Sequence, residues 1–221
     1  MKSYKEFIKE SKMDIDSICE KYGIRNYTIN SDGSIDVNGN VDLSHNWSSS
    51  RLKTSKSNDK LTKLPLSFRN VTGHFSCENN ELTSLQGSPQ IVGGEFACFN
   101  NKLTSLEGGP KNVGGLFDCR INKLTSLEGC PEIIGSDFYC NVNELMDFKG
   151  VSEFFERDFY CYKNPIYDIY DLFNTTKCIK WINEWDVIQG DQVILDRLEE
   201  VFHQLNMEIP KNIEFENYKV V

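Results

Sequence analysis

The chain has 221 residues, 39% of them hydrophobic, a formal net charge of −9 and a sequence pI near 4.9. This length suits one elongated domain with small end structures, and the acidic balance argues against duplex nucleic acid as the main ligand, since phosphate binding rests on Lys and Arg. No run of 18 apolar residues occurs and the start, Met1-Lys-Ser-Tyr-Lys-Glu, lacks the apolar stretch of a secretory signal, so neither a membrane span nor export is expected.

Tyr4, Phe7, Ile8, Ile15, Ile18, Cys19 and Tyr22 fall at helical spacing and predict an opening helix that Gly23 is placed to stop. Two alternating runs follow, Asn26 to Asn30 and Ser34 to Asn38. With Asp32-Gly33 between them they predict a hairpin. Val37, Val41, Leu43 and Asn46 copy the spacing of Val92, Phe96, Cys98 and Asn101, so a cryptic first repeat lies ahead of the clear ones. The leucine that should follow Asn46 at position 48 is Leu61, which marks an insertion of 13 residues. That insertion is basic and serine-rich, with Arg51, Lys53 and Lys56 as candidate contacts for an acidic partner, or else a surface loop without a role.

From Leu61 the pattern returns every 21 residues: Leu61, Leu82, Leu103, Leu124, Leu145 and Ile166 are equivalent. Each unit reads L-T-S-L-E-G-x-P-x-x-V-G-G-x-F-x-C-x-x-N-x, a leucine-rich-repeat signature, and predicts an α/β solenoid with a parallel strand ladder. Leu103, Leu106, Val113, Phe117 and Cys119 point inward by period. Gly93-Gly94 and Gly114-Gly115 are expected to turn the backbone through positive φ, and Pro89, Pro110 and Pro131 to stiffen the return. The asparagines at 80, 101, 122, 143 and 164 are expected to bond main-chain groups of adjacent coils. Beyond Asn164-Pro165 the pattern turns helical: Ile166, Ile169, Tyr170 and Phe173 mark a short helix. Asp191 is a candidate cap for a second, with stripe Ile194, Leu198, Val201, Phe202 and Leu205. The chain thus divides into a helical cap, hairpin and cryptic repeat (1–46), an insertion loop (47–60), repeats (61–165) and a helical cap (166–221).

Five of the eight cysteines, at 77, 98, 119, 140 and 161, share one repeat position. Side chains in line on strands about 4.8 Å apart do not converge on a tetrahedral metal, so they read as core. Three scattered histidines, the absence of H-E-x-x-H, G-x-x-x-x-G-K-[ST] and G-x-S-x-G, and about 50 residues after Asp168 leave no catalytic constellation, metal or cofactor to assign.

The candidate site is therefore the outward face of the strand ladder. Its partner-binding candidates are Glu95, Phe99, Leu116, Asp118, Arg120, Asp137, Tyr139, Asp158, Tyr160 and Tyr162. Tyr and Arg dominate energetic hot spots, and acids beside them favour a basic partner. The bland alternative is that the aromatics cross-pair for stability alone.

The run N-N-K-L-T-S-L-E-G-G-P-K-N-V-G-G-L-F-D-C, the lead-in I-N-S-D-G-S-I-D-V-N-G-N-V-D-L and the exit N-P-I-Y-D-I-Y resemble the short leucine-rich-repeat proteins of T-even-type tailed bacteriophages. The resemblance spans about residues 26 to 175, and the insertion after Asn46 departs from it. It implies an accessory role in the cytoplasm of an infected bacterium and brings no catalytic residues. The expected function is non-enzymatic: binding, and inhibiting, a host protein with a basic surface, plausibly one of antiviral defence. The alternatives are a sponge for a nucleotide signal using the insertion or an oligomer interface, and an acidic nucleic-acid mimic. Oligomeric state is not encoded in any motif.

Overall fold

A computed structural model describes residues 14–45, 59–151 and 154–221. Tyr4, Phe7, Ile8, Asn46 and the insertion candidates Arg51, Lys53 and Lys56 lie outside the described residues. Helix α1, residues 14–22, ends as expected: Gly23 takes φ 67°, and the Ile24 N–H donates to Cys19 O at 2.8 Å. It buries Cys19 and Tyr22. The hairpin forms as β1 (Tyr27–Ile29) antiparallel to β2 (Ile35–Val37), with Gly33 at φ 83° in the turn.

The strand pattern then differs from a single ladder. Each coil carries two short strands separated by a short turn, which holds the glycine pair in two of the coils, so two parallel ladders run side by side. The first joins β2 to β4 (Phe68–Val71), β6 (Ile91–Val92), β8 (Asn112–Val113), β10 (Ile133–Ile134) and β12 (Phe154–Phe155), with β1 covering its leading edge. The second joins β3 (Val41–Asp42), β5 (Phe75–Ser76), β7 (Phe96–Ala97), β9 (Phe117–Asp118), β11 (Phe138–Tyr139) and β13 (Phe159–Tyr160). Val41 is in register with Phe75 and Val37 with Val71, so stacking begins ahead of the clear motif. No helix occurs among the described residues from 59 to 151.

The core between the ladders is made of columns. Phe75, Phe96, Phe117 and Phe138 are fully buried with successive ring centroids 5.3–5.7 Å apart, continuing to Phe159. Each such ring contributes about 1.5–3 kcal/mol by burial. Leu82 and Leu85, with their counterparts at 103, 106, 124, 127 and 145, are equally buried, as are the five column cysteines, all free thiols. Burial raises those thiols' pKa well above the ordinary value, which keeps them protonated and unreactive.

The asparagine column ties coil to coil. Asn122 Nδ2 donates to Cys119 O of its own coil (3.1 Å) and Cys98 O of the previous one (3.2 Å), while its Oδ1 accepts from the Leu103 N–H (3.0 Å). The glycines act otherwise than the sequence suggests. Gly93, Gly94, Gly114 and Gly115 do not have positive φ; within the repeats the left-handed glycines are Gly87, Gly108, Gly129 and Gly150, each two residues after Leu85, Leu106, Leu127 or Phe148. The paired glycines are needed because successive backbones touch there: a Cβ on Gly114 would lie 2.4 Å from Gly93 O. Pro89, Pro110 and Pro131 are buried.

The C-terminal region holds more than helices. Helix α2 (Tyr167–Phe173) sets Tyr170 edge-on to Phe159 at 5.6 Å and Phe148 at 6.3 Å. Helix α3 (Lys177–Glu184) follows, then β14 (Ile188–Gln189), β15 (Gln192–Val193), helix α4 (Leu195–Gln204) and β16 (Lys219–Val220), which completes a three-stranded sheet. Asp191 does not cap α4. It sits at the β14–β15 turn and pairs with Lys219 at 3.0 Å, four residues short of the helix start, where no side chain caps. Leu198, Val201 and Phe202 are the buried stripe, and Phe173 packs on Phe202 at 4.5 Å. Tyr218, in a segment without a sequence signal, is buried and donates from its hydroxyl to Met146 O at 2.6 Å.

Candidate functional site

In the second ladder, phenylalanine and cysteine alternate inward, so the residues between and after them make the opposite face. One row runs Asp42, Ser76, Ala97, Asp118, Tyr139, Tyr160, and the next runs Ser44, Glu78, Phe99, Arg120, Asn141, Tyr162. The structure brings most of the sequence candidates together here, but they do not all face solvent.

Asp118 is buried, 3% exposed, whereas the sequence places it outward. The reason is its neighbour: Arg120 folds back over it, Nε to Oδ2 at 3.2 Å, and its backbone N–H donates to Oδ1 at 3.1 Å. The guanidinium lies 4.9 Å from the Phe99 ring and 5.6 Å from that of Tyr139. Arg120 is therefore held by an ion pair and two aromatic faces within the chain. Burial pushes the Asp118 carboxyl up to about 6, against the lowering effect of Arg120.

Beyond Arg120 the face opens. Tyr139 and Tyr160 stack at 4.4 Å with rings 7° from parallel, both partly exposed, and Tyr162 stands 42% exposed. Asp137 Oδ1 accepts from the Asp158 N–H at 3.2 Å, and Asp158 Oδ2 accepts from the Tyr160 hydroxyl at 3.2 Å. The charge of Asp158 holds the Tyr160 hydroxyl protonated, its pKa pushed up to about 12. Leu116 is partly buried on the ladder edge, while exposed Glu95 accepts no partner stronger than His74, 3.9 Å away among the described ion pairs.

Two residues outside the sequence candidates belong to this surface. Glu78 and Asn141 are buried, and Glu78 Oε2 and Asn141 Oδ1 have no hydrogen-bond partner among the described residues. Burial, aided by Asp42 and Asp118, pushes the Glu78 carboxyl up to about 7. No pattern of residue types signals this, since alternation along the strand places Glu78 outward. Because the folded pKa exceeds the ordinary 4.5, the folded chain holds its proton more tightly than the unfolded chain. The resulting stability is complete below about pH 4.5 and is lost as pH rises through about 7. Glu78→Gln should thus raise stability at pH 8 by about 2 kcal/mol and leave pH 4 almost unchanged. Thermal melts at the two pH values measure this, and equal shifts at both would refute the assignment.

The chain's relationships do not decide among these readings. No family model, curated protein or solved structure matches it. Among the described residues no helix is long and apolar enough to cross a membrane, and no group of three His, Cys, Asp or Glu is placed to hold a metal ion.

Two positions carry a cost that the fold does not require. The residue before each column asparagine is left-handed: Asn79 and Asn100 suit φ of 61° and 54°, but Ile121 and Val142 adopt 55° and 59°. A β-branched side chain there is strained by about 1–2 kcal/mol. Ile121 is 43% exposed, so burial does not explain it.

Proposed function

We propose that this chain is a non-enzymatic binding module of the leucine-rich-repeat type, its repeats closed at both ends by helical caps, which captures a protein with a basic surface on the outer face of its second ladder. The observation that carries this reading is the Tyr139–Tyr160 stack standing open beside Tyr162, Asp137 and Asp158. Rigid tyrosines supply contact area at small entropic cost, and adjacent carboxylates, with a net charge of −9, attract cations and speed encounter. Strained, exposed Ile121, next to Arg120 in the chain, adds an apolar contact that stability alone would not select. The stack is also what simple cross-strand pairing would produce, so the experiment must separate the two.

The resemblance to T-even phage leucine-rich-repeat proteins suggests the setting of this proposal: the cytoplasm of an infected bacterium, with a host protein of antiviral defence as the inhibited target. Affinity capture from host lysate should retain a specific protein on the native chain and lose most of it on a Tyr139→Ala, Tyr160→Ala, Tyr162→Ala triple variant that still melts cooperatively. A loss of about 2 kcal/mol or more per hot-spot tyrosine is expected. Undiminished capture by the folded triple variant would remove this face from consideration.

A further inference from the structure

The second ladder ends at β13, and its end is built differently from its start. In every earlier coil the column cysteine donates its N–H to the next coil: Cys77 to Ala97 O, Cys98 to Asp118 O, Cys119 to Tyr139 O and Cys140 to Tyr160 O, at 2.8–2.9 Å. The residue two further on repeats this, from Asn79 to Phe99 O through to Val142 to Tyr162 O. Cys161 and Lys163 stand at those two positions in the last coil, and no backbone carbonyl among the described residues accepts from them. Helix α2 covers the core side of this coil through Tyr170 on Phe159 without supplying a strand.

Between that strand edge and α2 lies a cavity of about 410 Å³. One wall is the consecutive run from Arg157 to Tyr162, and the other is Tyr167, Tyr170 and the turn at Asn174, Thr175 and Thr176. Four tyrosines thus line one space beside Asp158. Aromatic walls with a carboxylate suit a cationic side chain, and the same ladder already holds Arg120 in this manner between Phe99 and Tyr139. Arg157 is the opposing charge in the lining.

We infer that the bound partner presents an extended, cationic peptide segment that adds as a strand to the outer edge of β13 and places a lysine or arginine side chain in the tyrosine-lined cavity. The ladder supplies main-chain hydrogen bonds at Cys161 and Lys163, and the cavity supplies selectivity, the division of labour of strand addition. This rests on the reading of the chain as a binding module and locates its specific contact.

A blocked ten-residue peptide of alternating lysine and valine, titrated at 150 mM salt and followed by tyrosine and tryptophan fluorescence, is the probe. It should bind the native chain, and the glutamate–valine counterpart should not. Tyr167→Leu should weaken binding about tenfold, the scale of one desolvated cation–π contact. Arg157→Gln, at an exposed position that needs no refolding, should tighten it about threefold by removing the like charge. N-methylation of every valine, which prevents a ladder from continuing, should abolish it. Absence of binding by the lysine–valine peptide, or affinities unchanged in both Tyr167→Leu and Arg157→Gln, overturns the inference. Binding that instead depends on Tyr139 but not on Tyr167 also overturns it, while leaving the open tyrosine face as the binding surface. Lysate capture by the tyrosine triple variant tests that broader reading separately.

Discussion

Asn122→Ala is expected to destabilise the chain by about 3–4 kcal/mol, although it deletes only a small polar side chain. The amide of half-buried Asn122 satisfies Cys98 O, Cys119 O and the Leu103 N–H, main-chain groups of buried residues, so its removal strands groups in two coils at once. Each buried group left unpaired costs about 1–3 kcal/mol, whereas the lost contact area is minor. Asn122→Asp should not rescue: it keeps the acceptor for Leu103 but loses both donors and turns a negative charge toward the Cys98 and Cys119 carbonyl oxygens. Urea unfolding followed by tryptophan fluorescence measures the difference. A loss below about 1 kcal/mol for either variant would mean that the column is ornamental to the stack.

Gly114→Ala is the second large effect, and it tests a steric reason for the paired glycines. The new Cβ would sit 2.4 Å from Gly93 O and 3.1 Å from Gly93 C, and neither atom can move without separating the coils. Gly135 bears the same relation to Gly114, at 2.4 Å, so a displacement at one coil is passed to the next. A loss of about 3 kcal/mol is expected, at the upper end for an overpacked methyl. Gly33→Ala is the matched comparison, since at φ 83° with nothing within 4 Å it meets a backbone penalty alone, about 1 kcal/mol. If positive φ were the governing factor the order would invert, because Gly114 is not left-handed.

What could be read from the sequence follows from which positions the stack constrains. The phenylalanine, leucine, cysteine and asparagine columns were legible because each must meet the same position or its main chain in the adjacent coil, 21 residues on, as Phe75 and Phe96 do with ring centroids 5.4 Å apart. The hairpin was legible through Asp32-Gly33, and the early start of stacking through Val37 and Val41. The first ladder was not, because strands of two residues such as Ile91–Val92 are too short to show alternation. Nor was the C-terminal sheet, in which Val193 pairs with Val220 across a helix. At the site, alternation along the strand put Asp118 outside, but exposure there is decided by Arg120, Phe99 and Tyr139 closing over it. The cavity beside β13 was out of reach for the same kind of reason. Tyr160 and Tyr162 belong to a strand period, and Tyr167 and Tyr170 to a helical one. Only the packing of α2 on Phe159 makes them neighbours.

The central claim, that this chain acts by holding a partner on the open end of its second ladder, is tested most directly by hydrogen exchange on the captured complex. Amides from Tyr139 to Val142 and from Asp158 to Lys163 should gain protection relative to the free chain, Cys161 and Lys163 most of all, with the β14–β15 turn unchanged. Protection confined to residues 188–193 or to the 59–66 segment, with the tyrosine strands exchanging as in the free chain, would contradict it.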